Sequence, residues 1–484
     1  MEIRPTTTEK DFDVFVDTVH AAFGHFRETP VEGGGLWWSA LEADRCLIAQ
    51  TTDGRPVGTA ATHSFELTLP GGTLAPAPGV TAVGVLPSHR RQGVLTAMMR
   101  HQLTALRTQG AFLSVLLASE AMIYGRFGFG PATYTGHLQV PRHRSALAAP
   151  RGVLRGTAVG PGTDTATGTD NGRHGGGTDG EATGTAAGTG NGQHGGGTDG
   201  EATGTAAGTG NGQRGGGTDG EVTGTATGTA AGTGKGPDGG SVEVLRRAEC
   251  GEILEEVYDR YRRATPGALS RPRRWWAVRA GQPPISPAPR YVAVHRNAEG
   301  TPDGYASYSI DSGTLTVDET ITTDDTVFSA LARFALGHDL VTKVVFKHVP
   351  PEHPLRWQLV DFRAGEVSGA MDWLWVRLLD VPRALTARGW LTDGELVLDV
   401  DDPFLGEHDR YLLTVRAGKA ECVPTDREPD LSLDIRDLGS LYLGGTSPST
   451  LVRAGHIRTH HPGATTRADT LFRTERPPHC LHWF

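Results

Sequence analysis

A chain of 484 residues has room for two to four domains, and much of its net charge of −9 is local, because residues 161–240 carry nine acidic against three basic side chains. The nearly neutral remainder offers no field for gathering nucleic acid or an anionic membrane. Four widely separated cysteines (Cys46, Cys250, Cys422, Cys480) read as reduced thiols, and with no apolar run of signal or membrane-span length the chain is expected to be cytoplasmic.

The first unit, about 1–150, alternates helix and strand. Thr8 and Asp11 have N-cap spacing, and Phe12, Phe15, Val19, Ala22 and Phe23 follow at helical intervals. Cys46–Ala49 and Val57–Ser64 read as strands joined by the Asp53-Gly54 turn. Val80–Leu86 reads as a further strand, ended by Pro87. Gln92–Gln109 then reads as a helix with Leu95, Met98, Met99, Leu103 and Leu106 on one side. The apolar run Ala111–Ala118 has the character of a strand covered on both faces.

The passage from strand Val80–Leu86 through Pro87-Ser88-His89-Arg90-Arg91-Gln92-Gly93 into a helix is the most informative in the chain. A helix start presents unpaired N–H groups and a partial positive charge, which suits a phosphate. Gly93 removes the Cβ that would block close approach, and Arg90 and Arg91 add charged donors. The turn lacks the Gly-Lys-Ser/Thr of a Walker loop and the glycine triplet of a dinucleotide fingerprint.

Residues 151–240 read as a disordered Gly/Thr/Ala-rich insertion. An Asn-Gly-led repeat restarts at Asn171, Asn191 and Asn211, but each copy lacks a large apolar residue to offset the entropy of ordering its glycines. The second unit, 241–370, has a helical Cys250–Arg263 and strand candidates at Tyr291–His295 and Tyr305–Ile310. The third, 371–484, opens at Trp373–Asp380 and runs through strand-like Glu395–Val400, Tyr411–Ala417 and Leu431–Ile435 to helical Leu438–Leu443 and Ser449–Ala454. No histidine or cysteine cluster has zinc spacing, so no metal is expected.

Val83-Gly84-Val85-Leu86-Pro87-x-x-Arg90-x-x-Gly93-x-Leu95 resembles the acetyl-CoA signature of the GNAT acetyltransferase superfamily, with Leu95 in place of its last small residue. The run Ala118–Thr133, containing Ile123-Tyr124-Gly125-Arg126-Phe127-Gly128, and the closing Leu438–Gly445 resemble the Eis (enhanced intracellular survival) family. The resemblance implies an α/β (α+β) architecture: tandem GNAT folds, each a mixed twisted sheet flanked by helices, with the second lacking cofactor, then a sterol-carrier-protein-like domain. It implies a homohexamer that transfers acetyl from acetyl-CoA to primary amines of small polycations such as aminoglycosides, polyamines or lysine-like amines.

By the same resemblance, the donor is held by Val83, Gly84, Val85, Arg90, Arg91, Gln92, Gly93, Val94, Leu95 and Thr96, with Ser119 and Glu120 opposite. Tyr124 is the expected proton donor, since a phenol can protonate a departing thiolate. The family's proton acceptor is a C-terminal phenylalanine carboxylate, here that of Phe484, which requires the apolar tail Cys480–Phe484 to be docked. Phe23, His25, Phe26, Trp37 and Trp38 stand where the family lines its amine cavity, and His25 replaces an acidic residue found there in some members. The rival readings are a protein-lysine acetyltransferase, or a lipid-binding module with an inactive GNAT part.

Overall fold

The computed structural model describes residues 1–24, 38–148, 239–276 and 290–484. The expected insertion lies outside the described residues except for Gly239 and Gly240, and so do His25, Phe26 and Trp37. The N-terminal cap forms as its spacing predicts. The Thr8 hydroxyl accepts the Asp11 N–H and the Asp11 carboxylate accepts that of Thr8, starting α1 (Glu9–Ala22). The apolar stripe of α1 buries Phe15, Val16 and Val19 with Leu41, Cys46 and Ile48.

Up to residue 131 the chain forms β1 (Glu2–Pro5), β2 (Cys46–Gln50), β3 (Pro56–Thr68), β4 (Leu74–Val85), α2 (Val94–Thr108), β5 (Leu113–Leu117), α3 (Ala121–Tyr124) and β6 (Gly130–Pro131). The next stretch holds β7 (Tyr134–Pro141), β8 (Ser241–Arg246), α4 (Ile253–Ala264), β9 (Arg290–Arg296), β10 (Pro302–Asp311) and β11 (Thr314–Thr322). It closes with α5 (Asp325–Leu336), β12 (Lys343–Val349), α6 (Leu355–Gln358), β13 (Glu366–Asp372) and β14 (Leu374–Leu378).

Two seven-stranded mixed sheets result, with orders β1-β2-β3-β4-β5-β14-β6 and β13-β7-β12-β11-β10-β9-β8. They trade strands across the boundaries expected near 150 and 371. β7 inserts between β12 and β13 of the second sheet, while β14 inserts between β5 and β6 of the first. All five residues of β14 are buried, so its apolar run records burial and not its partner.

The remaining chain forms α7 (Val381–Ala387), β15 (Gly394–Asp402), β16 (Glu407–Arg416), β17 (Lys419–Pro424), β18 (Leu431–Asp434), α8 (Ile435–Tyr442), α9 (Pro448–Arg453), β19 (Arg458–Thr459) and α10 (Ala464–Phe472). Its sheet has the order β17-β16-β15-β18-β19. Helix α8 docks on the first sheet: a Cβ on Gly439 would stand 2.4 Å from the Val376 carbonyl oxygen of β14, so only glycine permits that approach. The buried Arg377 of β14 pairs with Asp402 at the end of β15, a second tie between first sheet and third.

Candidate active site

Strand β4 pairs with the parallel β5 only at Gly79–Val115 and Val80–Leu116, and beyond Val80 the two diverge. Its pairing with β3 shifts register between Thr59 and Ala61, and Ala82 sits at φ 47°, a bulge that turns the Val83–Val85 backbone into the opening. Pro87 ends the strand, and Gly93 at φ 81° forms the cap of α2 without any side-chain hydrogen bond to it. The first N–H groups of α2 therefore lack the side-chain acceptor that usually satisfies them.

These elements enclose a cleft of about 610 Å3. Val83, Gly84, Val85, Arg90, Arg91, Gly93, Val94, Leu95, Thr96, Ser119 and Glu120 all line it. Gln92 does not, because its amide turns back to the Ser88 carbonyl at 3.2 Å. Arg90 reaches the cleft but braces it, donating to the Ala22 carbonyl at 2.8 Å and to that of Val85 at 3.3 Å. Arg91 is exposed at φ 61°. The sequence reading missed a further cation, Arg126, on the same wall, although it lies inside the Tyr124-Gly125-Arg126-Phe127-Gly128 run.

Tyr124 ends α3 and is buried, its ring edge-on to Phe129 at 6.3 Å. Burial, seconded by the Glu120 carboxylate, pushes its phenol up to about 12, with a hydrogen bond to Ser119 pulling the other way. The proton is thus held firmly at neutral pH. Behind Tyr124 the turn closes at Gly128, φ 80°, where an added Cβ would lie 2.5 Å from Nη1 of Arg377. The Arg377 guanidinium, held by Asp402, thereby backs the turn that carries Tyr124.

Tyr124 also lines a second cavity, of about 340 Å3, together with Phe23, Val83, Met371, Asp372, Trp373, Trp483 and Phe484. The tail is docked: Cys480, Leu481, His482 and Phe484 are buried. The Phe484 ring lies against Phe65 at 4.8 Å and His63 at 6.1 Å, and Gly79 leaves room for it. Of the expected acceptor-side residues, Phe23 lines both cavities, being the C-cap of α1. Trp38 belongs instead to the core beneath α1, 5.2 Å from the His20 ring, because its place in the chain faces that helix. Met371, Asp372 and Trp373 escaped the sequence reading, since β13 is brought here only by the exchange of strands between sheets. The Asp372 carboxylate accepts the Trp375 indole N–H at 2.5 Å.

No helix among the described residues is long and apolar enough to cross a membrane. Residues 2–132 and 267–378 each match an acetyltransferase (GNAT) domain family, and residues 381–481 match a sterol carrier protein domain. An uncharacterized N-acetyltransferase of Streptomyces griseus is 31% identical over 441 residues, covering 88% of this chain and 86% of that one. The N-acetyltransferase Eis of Mycobacterium tuberculosis is 28% identical over 461 residues, covering 92% and 91%. The crystal structure of Eis1 from Mycobacterium abscessus superposes with a TM-score of 0.73 at 27% identity over the full length of both chains. With two GNAT domains, a terminal sterol carrier domain and relatives alike over almost their whole length, the chain belongs to the Eis family of acetyl-CoA-dependent N-acetyltransferases.

Proposed function

We propose that the chain acetylates a primary amine of a small cationic acceptor, the class in which the family resemblance places aminoglycosides, polyamines and lysine-like amines. The observation that carries this reading is that Tyr124 stands in the wall of both cavities, between a cleft of donor character and a cavity ending at Phe484. The donor cleft fits acetyl-CoA chemically. The start of α2 lacks a side-chain acceptor, Gly93 leaves nothing within 4 Å of an added Cβ, and Arg91 and Arg126 offer cations. Acetyl-CoA supplies the activated acetyl group and a thiolate leaving group.

In this reading the backbone around Val83–Val85 and the head of α2 orient the donor. Tyr124 Oη holds the proton destined for the thiolate, and the carboxylate of Phe484 takes the amine proton. A phenol near 12 is a weak acid beside a free thiol near 8.5, but the burial that raises the phenol also raises a thiolate in the same cleft, narrowing the gap. In the second sheet the corresponding helix start, that of α5, is already capped by the Asp324 carboxylate and followed by Asp325. Two carboxylates where a diphosphate would sit support the reading that this domain holds no coenzyme. The homohexamer implied by the resemblance belongs to the same proposal and is checked by light scattering.

The test is calorimetric titration of the full chain with coenzyme A, alongside thiol release from acetyl-CoA in the presence of amines. Coenzyme A uptake abolished by Arg91→Ala/Arg126→Ala, and amine-dependent thiol release, are expected. A folded protein that takes up no coenzyme A would end the reading.

A further inference from the structure

We infer that His479 is the positioning residue for the terminal carboxylate: the strand cleft of the second domain, counterpart of the cleft at the head of α2, holds the chain's own segment Glu475–His479 and so fixes where Phe484 ends. The inference rests on the acetyl-transfer reading above and on Phe484 as its proton acceptor. Strands β11 and β12 run parallel and pair from Thr314–Lys343 to Val317–Phe346, where the ladder ends, as that of β4 and β5 ends at Val80. β11 shifts register against β10 between Ser307 and Tyr308, and β12 shifts against β7 around His348, which sits at φ 53°. The split so opened continues as a cavity of about 460 Å3. Its wall includes Thr320 and Thr322 of β11, His348 and Val349 of β12, and Arg476 and His479 of the segment.

His479 is fastened by its backbone and by both ring nitrogens. Its N–H donates to the Pro266 carbonyl, just past the end of α4, at 2.8 Å. Nε2 lies 2.7 Å from the His348 carbonyl oxygen and Nδ1 lies 2.9 Å from the Tyr261 hydroxyl. A carbonyl only accepts, so the ring proton sits on Nε2, and Nδ1 accepts from Tyr261. Burial holds this imidazole down at about 4, against the pull of the His348 carbonyl, so the neutral ring keeps both bonds at neutral pH. Gly267, at φ 87°, permits the approach, since a Cβ there would stand 3.1 Å from the His479 nitrogen. Pro477 and Pro478 stiffen the chain leading in. The Arg476–Asp325 pair at 3.1 Å is exposed and adds little. From His479 to Phe484 the chain advances five residues, a reach of at most about 17 Å. Along it Leu481 joins the core of Tyr258 and Tyr261, His482 meets the Trp275 ring at 4.9 Å, and Phe484 meets Phe65 of β3. A free chain end ordinarily frays, and an anchor at His479 confines the carboxylate without touching it. The second domain thereby supplies position to chemistry carried out in the first.

The experiment compares the unmodified full chain with His479→Ala, with the milder Tyr261→Phe, and with the chain extended by one glycine after Phe484. Thiol release is followed at saturating acetyl-CoA with spermidine and with kanamycin, coenzyme A affinity and stoichiometry by calorimetry. Docking of the tail is read from the rate at which carboxypeptidase A liberates phenylalanine. In His479→Ala kcat should fall about tenfold and phenylalanine should be released about tenfold faster, with coenzyme A binding unchanged. Tyr261→Phe should move both in the same direction by about threefold. Turnover lost in the glycine-extended chain but kept in both anchor variants would overturn this inference and leave acetyl transfer intact, as would faster phenylalanine release at unchanged kcat. A role confined to folding would lower the coenzyme A stoichiometry together with kcat, and that result would overturn it too. Full turnover by the glycine-extended chain would remove the terminal carboxylate from the mechanism and this inference with it. No thiol release by the unmodified chain with either amine would end the acetyl-transfer reading and this inference together.

Discussion

Replacing Tyr124 by Phe removes one oxygen atom and separates chemistry from folding. The ring keeps its place, edge-on to Phe129 and packed with Phe127, Leu116 and Trp375, so no cavity opens. What folding loses is the hydrogen bond with Ser119, worth about 1 kcal/mol. What catalysis loses, if the phenol is the acid, is a factor of about 10² to 10⁴ in turnover, or roughly 3–5 kcal/mol of barrier. The two losses are measured apart: urea unfolding for the first, thiol release at saturating acetyl-CoA for the second, with coenzyme A affinity by calorimetry as control. The raised phenol also fixes the alkaline behaviour of the unmodified enzyme. At pH 10 an ordinary tyrosine is about half ionised, whereas one near 12 has lost only about 1% of its protons, so turnover should stay flat through pH 10. A Tyr124→Phe variant with turnover within threefold of the parent refutes the assignment. An alkaline limb near pH 10 that vanishes in the variant refutes the account of its environment.

Extending the chain by one glycine after Phe484 moves the terminal carboxylate by about 3.5 Å and should cut turnover by about 10² with coenzyme A affinity retained; unchanged turnover removes that carboxylate from the mechanism. Burial holds His63, which is completely enclosed, down at about 4 from an ordinary 6.5, against an opposing pull from Glu42. The unfolded chain therefore takes up this proton first, and stability present above pH 6.5 is lost as pH falls towards 4, by about 3 kcal/mol from this group. In His63→Met the difference in urea stability between pH 7 and pH 4.5 should shrink by most of that amount, and an unaltered difference would contradict it. Arg377→Met leaves Asp402 unpaired next to the Tyr124 turn and should cost about 3–5 kcal/mol in urea unfolding; a cost below 1 kcal/mol would show that the pair does not brace the turn.

The cleft at the head of α2 was readable in the sequence because its parts are neighbours in the chain. Strand end, proline, arginines, glycine and helix occupy residues 80–95, and local rules of capping, phosphate approach and left-handed glycine act at that range. The same holds for the Thr8–Asp11 cap and for Tyr124 in its motif. The two GNAT folds and the sterol carrier domain were likewise legible from motifs. Tertiary structure alone decided the exchange of β7 and β14 between sheets, the bracing of Gly128 by Arg377 and Asp402, and the meeting of Phe23, Asp372, Trp483 and Phe484 at one cavity. Those residues are brought together by strand pairing and burial across most of the chain's length, and a buried strand shows the same apolar run whichever partner it takes.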